Sequence, residues 1–236
     1  YQPSPLPLKE DDFDPGTELV PNYFGVGWSK IYLEKMCEFY TRISQLKCTV
    51  LRHSNIFGPY DKFDLDHSHV FGATITKVMN ADHGGEIVIW GNGEEGRDLL
   101  YVSDLVDCIE LAIERQKEDF GLYNVGAGHA ITVKDLVLQI ITASKKQLRI
   151  KYDLSQPNIP TTLCLDCTRV RRAFGWTPRI PLDEGIIRTL EWYGTNIGNV
   201  AVMQTTDPAV PNLETDIKST HSITQKRSNG KTPTTT

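Results

Sequence analysis

The stretch Glu86-Ile-Val-Ile-Trp90-Gly91-Asn-Gly93-Glu-Glu-Gly96-Arg97-Asp-Leu-Leu-Tyr-Val102-Ser-Asp104 decides how this chain is read. Glu86 to Trp90 reads as a strand. Directly after it, Gly91-Asn-Gly93-Glu-Glu-Gly96 matches G-x-G-x-x-G, the spacing of a dinucleotide-binding turn. The surroundings exclude that reading. Such a turn opens a helix, because the helix N-terminus holds the pyrophosphate. Here the third glycine leads into Arg-Asp-Leu-Leu-Tyr-Val, which is strand-like, and two glutamates sit where a phosphate would approach. The segment is expected to be a tight loop between strands, and the sequence to carry no dinucleotide phosphate loop of its own.

Outward from this point the pattern is α/β. On the C-terminal side Ser103-Asp104 reads as the cap of a helix running to about Arg115. Strands are expected at Gly121–Val125 and Leu148–Tyr152. Between them lies a helix from Thr132 to about Ser144, with Thr132 as cap and Asp135 as the acid of a capping box. Helices follow over Val170–Phe174 and Leu182 to about Tyr193. On the N-terminal side an amphipathic helix runs from near Val26 to Ile43, then a buried strand over Lys47–Arg52. Helix then strand is half of a parallel-sheet unit, whose preceding strand would lie upstream of Tyr1. Phe57-Gly58-Pro59 marks a turn, followed by a charged loop and an apolar helix from about Val70 to Asn80. Tyr1 to about Pro21 reads as a surface loop. Residues 1–195 are expected to form one domain, with a substrate lobe drawn mainly from 60–90 and 123–195. Residues 196–236 are rich in Pro, Thr, Ser, Asn, Lys and Gln. They cannot bury enough apolar surface to offset their ordering entropy, so a disordered tail is expected.

Composition narrows the function classes. The chain has 236 residues, 39% of them hydrophobic, and a formal net charge of −5. That charge, with no basic stripe carrying interleaved aromatics, argues against a nucleic-acid partner. No apolar run is long enough to span a bilayer, and no signal peptide is visible. The five cysteines are odd in number and scattered, which favours free thiols in a reducing, cytoplasmic setting. Only Cys164-Leu-Asp-Cys167 has metal-like spacing. No second ligand pair follows it, so no metal site is expected.

Four ordered segments carry a family resemblance. They are Tyr23-Phe-Gly-Val-Gly-Trp-Ser-Lys30, Leu51-Arg-His-Ser-Asn55-Ile-Phe-Gly58-Pro59, the stretch Ile89 to Asp104, and Leu165-Asp166-Cys-Thr-Arg169 through Gly175-Trp176-Thr-Pro178. Together they resemble the extended short-chain dehydrogenase/reductases of the NAD-dependent epimerase/dehydratase type, which act on nucleotide sugars. Asn55-Ile-Phe-Gly-Pro-Tyr-Asp-Lys-Phe followed by Ser68-His69-Val70 is most similar to the GDP-L-fucose synthase branch. That branch epimerises a 4-keto-6-deoxy sugar and then reduces the ketone with NADPH. The resemblance implies the later part of a doubly wound, Rossmann-type parallel sheet with a smaller α/β substrate lobe. It also implies NAD(P) as cofactor, a nucleotide-sugar substrate and a homodimer through the Lys30 helix.

The resemblance also assigns roles. Epimerisation beside a carbonyl needs a group that exchanges protons near neutral pH, and the resemblance gives this to His69; a surface or capping histidine is the other reading. The family pairs Tyr and Lys one helical turn apart, so that the cation lowers the phenol pKa. Lys30 stands at the lysine position, but Val26 occupies the expected tyrosine. Tyr23 lies seven residues before Lys30, about 10 Å along a helix axis. It reaches Lys30 only if the chain bends around Gly25 and Gly27. Lys30 and His53 fall on the cofactor side. Asn55, Lys77, Trp90 and Arg97 fall on the substrate side, with Arg97 and Lys77 toward the diphosphate. For Arg97 a strand-edge salt bridge and for Trp90 a core position are the alternatives. Asp104 and Asp166 read as caps and turn anchors. Two other readings stay open: a non-catalytic dehydrogenase-like binding protein, and an inactive truncated fragment.

Overall fold

A computed structural model of the chain describes residues 6–14, 16, 18–19, 21, 24–65, 67–156 and 161–198. In chain order the elements are a 3-10 turn Glu10–Asp12, α1 Phe24–Ile43, β1 Cys48–His53, β2 Asn55–Phe57, α2 Val70–Asn80 and β3 Glu86–Trp90. Then come β4 Gly96–Arg97, β5 Leu99–Tyr101, α3 Val102–Arg115, β6 Phe120–Val125, β7 Ile131–Thr132 and α4 Val133–Ala143. Last are β8 Arg149–Asp153, α5 Thr168–Phe174, α6 Leu182–Tyr193 and a π-helical turn Gly194–Gly198.

The longer strands pair in parallel through helical crossovers, the signature of an α/β fold. β1 runs beside β6 in register Cys48 to Phe120, β2 beside β5, and β3 beside β8. One short antiparallel pair joins β4 to β7. The helices sit on this framework through two apolar clusters. One gathers Phe57, Phe71, Ile75, Val78, Ile87, Ile89, Val133, Leu136, Ile140 and Ile186, from α2, α4, α6 and the strands between. The other gathers Leu100, Cys108, Val125, Leu165, Val170, Phe174 and Trp176, around α3, α5 and β6.

Most helix limits match the sequence pattern, because apolar periodicity and local caps set them. Thr132 caps α4 as expected: its hydroxyl accepts the Asp135 N–H at 3.0 Å and donates to the Asp135 carboxylate at 2.7 Å. The strand expected over Asp98–Val102 is β5, Leu99–Tyr101; a separate short strand, β4, precedes it, and Val102 already begins α3.

Three expectations need correction. Ser103-Asp104 is not a cap. α3 already starts at Val102 with Tyr101 at the N-cap, and the Asp104 carboxylate instead accepts the N–H groups of Arg179 and Ile180. The segment before α1 is not wholly a surface loop. Leu8 is 4% exposed and bridges Leu165, and Glu10 is 6% exposed with its carboxylate on the Asn124 N–H. Tertiary partners more than a hundred residues away supply burial that local composition does not announce. The helical chain also continues through Gly198, past the expected start of a tail at 196. Residues 199–236 lie outside the described residues.

Candidate functional site

The loop from Gly58 to His69 is built onto α2. It leaves β2 through Gly58, whose φ of +147° and close approach to Val102 call for glycine. Tyr60 follows at φ +66°, an uncommon conformation for a residue with a side chain. Its ring packs on Trp192 at 4.7 Å, and Phe63 packs on Trp192 and Tyr193. The Thr76 hydroxyl donates to the Phe63 carbonyl. Gly72 lets the helix touch the loop, since a Cβ there would drive into the Lys62 carbonyl oxygen. The return leg ends at His69, the N-cap of α2, whose exposed imidazole makes no capping bond.

In the same loop is Asp61, which the sequence reading passed over as one charge in a polar loop. One carboxylate oxygen accepts the Lys62 N–H at 2.7 Å, and the other is buried without a partner among the described residues. Burial pushes the carboxyl above the usual range, while the Lys62 N–H and the His69 imidazole pull it back. The neighbouring Asp64–His67 pair, at 3.1 Å, is separate and exposed.

Two turns along α2, Lys77 meets Trp90. The ammonium donates to the Val88 carbonyl at 2.8 Å and sits 5.9 Å from the indole centroid. Burial lowers the Lys77 pKa from its ordinary value. Trp90 is 52% exposed, so the alternative of a core tryptophan is set aside. The indole closes β3 with its face open.

The β2–β5 pairing brings Asn55 and Arg97 into one neighbourhood. Asn55 pairs with Leu99 and donates its N–H to the Asp98 carbonyl at 3.0 Å. The Arg97 guanidinium donates to the carbonyls of Gly96 and Thr161, each at 2.8 Å. Among the described residues it bonds carbonyls and forms no salt bridge. Asp98 between them is fully buried and accepts the N–H groups of Ala127, Gly128 and Leu165.

The cofactor-side residues are placed differently. Lys30 and His53 are both exposed, on α1 and at the end of β1, and His53 Nδ1 lies 2.8 Å from the Ser54 carbonyl oxygen. Val26, one turn before Lys30, is 53% exposed. Tyr23 lies outside the described residues. The Gly91–Gly96 loop leads into β4, as expected. Its Gly93 and Glu95 carbonyls accept the Lys134 and Val133 N–H groups, which occupies the α4 N-terminus that a phosphate would need. Beside it is an open pocket of about 280 Å³ lined by Asn92, Gly93, Glu94, Thr132, Lys134, Asp135 and Tyr152. None of the candidate residues lines it. Among the described residues, no cluster of three His, Cys, Asp or Glu side chains could hold a metal ion. No helix among them is long and apolar enough to cross a membrane.

Parallel pairs with helical crossovers define an α/β chain similar in fold to the Rossmann-type epimerases and reductases. Residues 10–126 match the NAD dependent epimerase/dehydratase family. A probable GDP-L-fucose synthase from Oryza sativa subsp. japonica is 30% identical over 198 residues, 82% of this chain and 59% of the relative. A GDP-L-colitose synthase from Yersinia pseudotuberculosis is 31% identical over 179 residues, 75% of this chain and 58% of the relative. The crystal structure of UDP-glucose 4-epimerase from Thermotoga maritima, with UDP-glucose, is similar at a TM-score of 0.69 and 28% identity. That match covers 82% of this chain and 59% of the epimerase. The chain thus spans less than two thirds of the length of these relatives.

Proposed function

We propose that this chain acts on a nucleotide-linked keto sugar as part of an NAD(P)-dependent epimerase/reductase of the GDP-L-fucose synthase type. α2 carries the reading: an exposed imidazole at its N-terminus, and in its last turn a half-buried cation against an open indole. The two lie about 12 Å apart along the axis, a span on the scale of a sugar diphosphate. His69 takes the proton from the carbon beside the ketone, leaving an enolate, and a proton given by water to the other face inverts that centre. Lys77 and Arg97 hold the diphosphate, Asn55 hydrogen-bonds the substrate near it, and Trp90 offers its face to the sugar or base.

NAD(P), when bound, supplies the hydride that reduces the ketone. Lys30 and His53 suit its ribose side. The Gly91–Gly96 loop does not fit its pyrophosphate, because Glu94 and Glu95 lie within it and its carbonyls occupy the α4 N-terminus. A cytoplasmic homodimer through α1 belongs to the same reading. The helix buries none of its residues and exposes Phe24, Trp28, Tyr32, Leu33 and Tyr40, and light scattering tests the stoichiometry.

The test uses the whole chain. Intrinsic tryptophan fluorescence is titrated with GDP- and UDP-linked sugars, in the parent and in Trp90→Phe. A 4-keto-6-deoxy nucleotide sugar is then incubated in D2O and read for deuterium beside the carbonyl. Saturable binding weakened by Lys77→Met, with exchange lost in His69→Gln, is the expected result. Folded protein that binds no nucleotide sugar defeats the proposal. Binding without exchange favours the non-catalytic binding protein, the reading that Val26 at the tyrosine position supports.

A further inference from the structure

The chain folds back between α1 and β1, and a cysteine lies on each side of that turn. Side chains alternate along a strand, so β1 carries Cys48, Val50 and Arg52 on one face and Thr49 and Leu51 on the other. Contacts identify both faces. Leu51 packs against the cluster of Leu100, Cys108 and Val125 on the α3 side. The Arg52 guanidinium grips Glu34 of α1 through bonds of 2.8 and 2.7 Å. Cys48 therefore lies on the face that α1 covers. On α1, Ile31, Glu34, Cys37, Glu38 and Thr41 are half-buried at helical spacing and form the stripe turned to that face. Cys37 is one turn beyond the gripped Glu34, in the direction of the turn that leads to Cys48. Both thiols are free and half-buried, open enough for a small oxidant to reach. Burial first, then the Cys48 thiol and a hydrogen bond with it, raise the Cys37 pKa, so the two sulfurs are neighbours as the faces require. Cys108 and Cys167, by contrast, are buried in the other cluster, and Cys167 is held by Gly126.

We propose that Cys37 and Cys48 are an oxidisable pair: a peroxide converts them to a disulfide that ties α1 to β1, and a thiol reductant reopens it. Peroxide first transfers one oxygen to the Cys48 sulfur, giving a sulfenic acid and releasing the first water. The Cys37 sulfur then displaces that hydroxyl, the S–S bond forms and a second water leaves with the thiol protons. The two sulfurs lose two electrons and the peroxide gains them. Burial keeps Cys37 protonated, so the first oxidation falls on Cys48. The consequence is mechanical. α1 buries none of its residues and is gripped by the Arg52 fork. A covalent link one turn from that fork removes the freedom of the helix to roll or lift, and Lys30 moves with the same helix. In a reducing compartment such a link is transient, the behaviour of a redox sensor rather than of a structural bridge. None of this depends on the catalytic reading.

The test is made on the full chain, reduced, freed of reductant and treated with hydrogen peroxide, beside Cys37→Ser and Cys48→Ser. Thiol counting and peptide mass mapping are expected to show two thiols lost together in the parent. The product should be one linked pair of peptides, carrying Cys37 and Cys48, that dithiothreitol separates. Cys37→Ser should form no link and leave a sulfenic acid on Cys48 that dimedone traps. Hydrogen exchange of the α1 amides should slow roughly tenfold in the oxidised parent and stay unchanged in both serine variants. Peroxide treatment of the parent that yields no Cys37–Cys48 link overturns the proposal, and so does a different cysteine pair as the main product. A link that forms while α1 exchanges as before overturns the tie on the helix.

Discussion

Replacing Asp98 by Asn tests how the segment between β4 and β5 is held. The side chain is fully buried, and its carboxylate accepts three backbone N–H groups: Ala127 at 2.7 Å, Leu165 at 3.1 Å and Gly128 at 3.3 Å. Asparagine keeps the shape but has one acceptor oxygen. If that oxygen stays toward Ala127, an NH2 group confronts the Leu165 and Gly128 donors; if it flips, the shortest bond is lost. Each unpaired buried donor costs about 1–3 kcal/mol, and the remaining bond loses its charge assistance. Relief of a buried charge offsets part of this. The net expectation is about 2–4 kcal/mol, within reach of a fold stable by roughly 5–15 kcal/mol. Asp98→Ala strands all three donors and is expected to leave little folded protein. Urea denaturation followed by circular dichroism should show a lower midpoint at unchanged slope, and heating a midpoint roughly 4–16 °C lower. An Asn variant within about 0.5 kcal/mol of the parent would refute the account, since that is the scatter of surface changes.

Gly72→Ala should destabilise by about 1–3 kcal/mol and disturb the His69 resonances, because the added methyl meets the backbone carbonyl of Lys62; unchanged spectra would exclude a tight loop–helix contact. Lys146 donates to the Val78, Met79 and Ala81 carbonyls at the end of α2, so Lys146→Met should cost about 2–3 kcal/mol in urea melts. Burial pushes the Cys108 and Cys167 thiols up to about 12 from 9.0, so the native state keeps protons that the unfolded chain releases. Stability from this source is full below pH 9 and lost as pH rises toward 12, and Cys108→Ala should flatten that slope. A variant slope equal to the parent's would contradict the burial. Val26→Tyr places a phenol one turn before Lys30, about 6 Å apart, where attraction in water lowers a phenol pKa by roughly half a unit. Ultraviolet titration that finds the new tyrosine ordinary would show that Lys30 points elsewhere.

Helices were legible where the signal is local. The periodicity over 70–80 and 182–193 and the Thr132–Asp135 cap need no distant partner. β2, β4 and β7 were not, because strands of two or three residues exist only through pairing across the chain. Leu8 and Glu10 escaped for the same reason, their partners being Leu165 and Asn124. In the site, Lys77 and Trp90 could each be named from the sequence, but not that they meet, since the contact depends on how α2 lies over β3. Asp61 was overlooked because loops commonly carry acids. The available signal was its place directly after the Gly58-Pro59-Tyr60 turn and eight residues before His69. Asp98 was hidden beside Arg97, whose charge drew the functional reading.

One guanidinium grips the helix that carries Lys30. α1 buries none of its own residues, so core packing alone does not fix its rotation. Glu34, one turn after Lys30, is gripped by Arg52 of β1 through two bonds of 2.8 and 2.7 Å. Arg52 also donates to the Glu10 carbonyl and lies over the Phe13 ring. A partly buried ion pair adds little net stability, so its consequence here is orientation. The planar fork admits one bidentate approach, whereas a lysine would keep the charge and lose the direction. Val26, Lys30 and Glu34 are spaced by four and form one stripe, so fixing Glu34 fixes the other two. Asn55 lies three residues beyond Arg52, where the chain enters β2. The position where the family keeps its tyrosine is thus held in place with Lys30, and the valine there alters the chemistry of the stripe rather than its geometry.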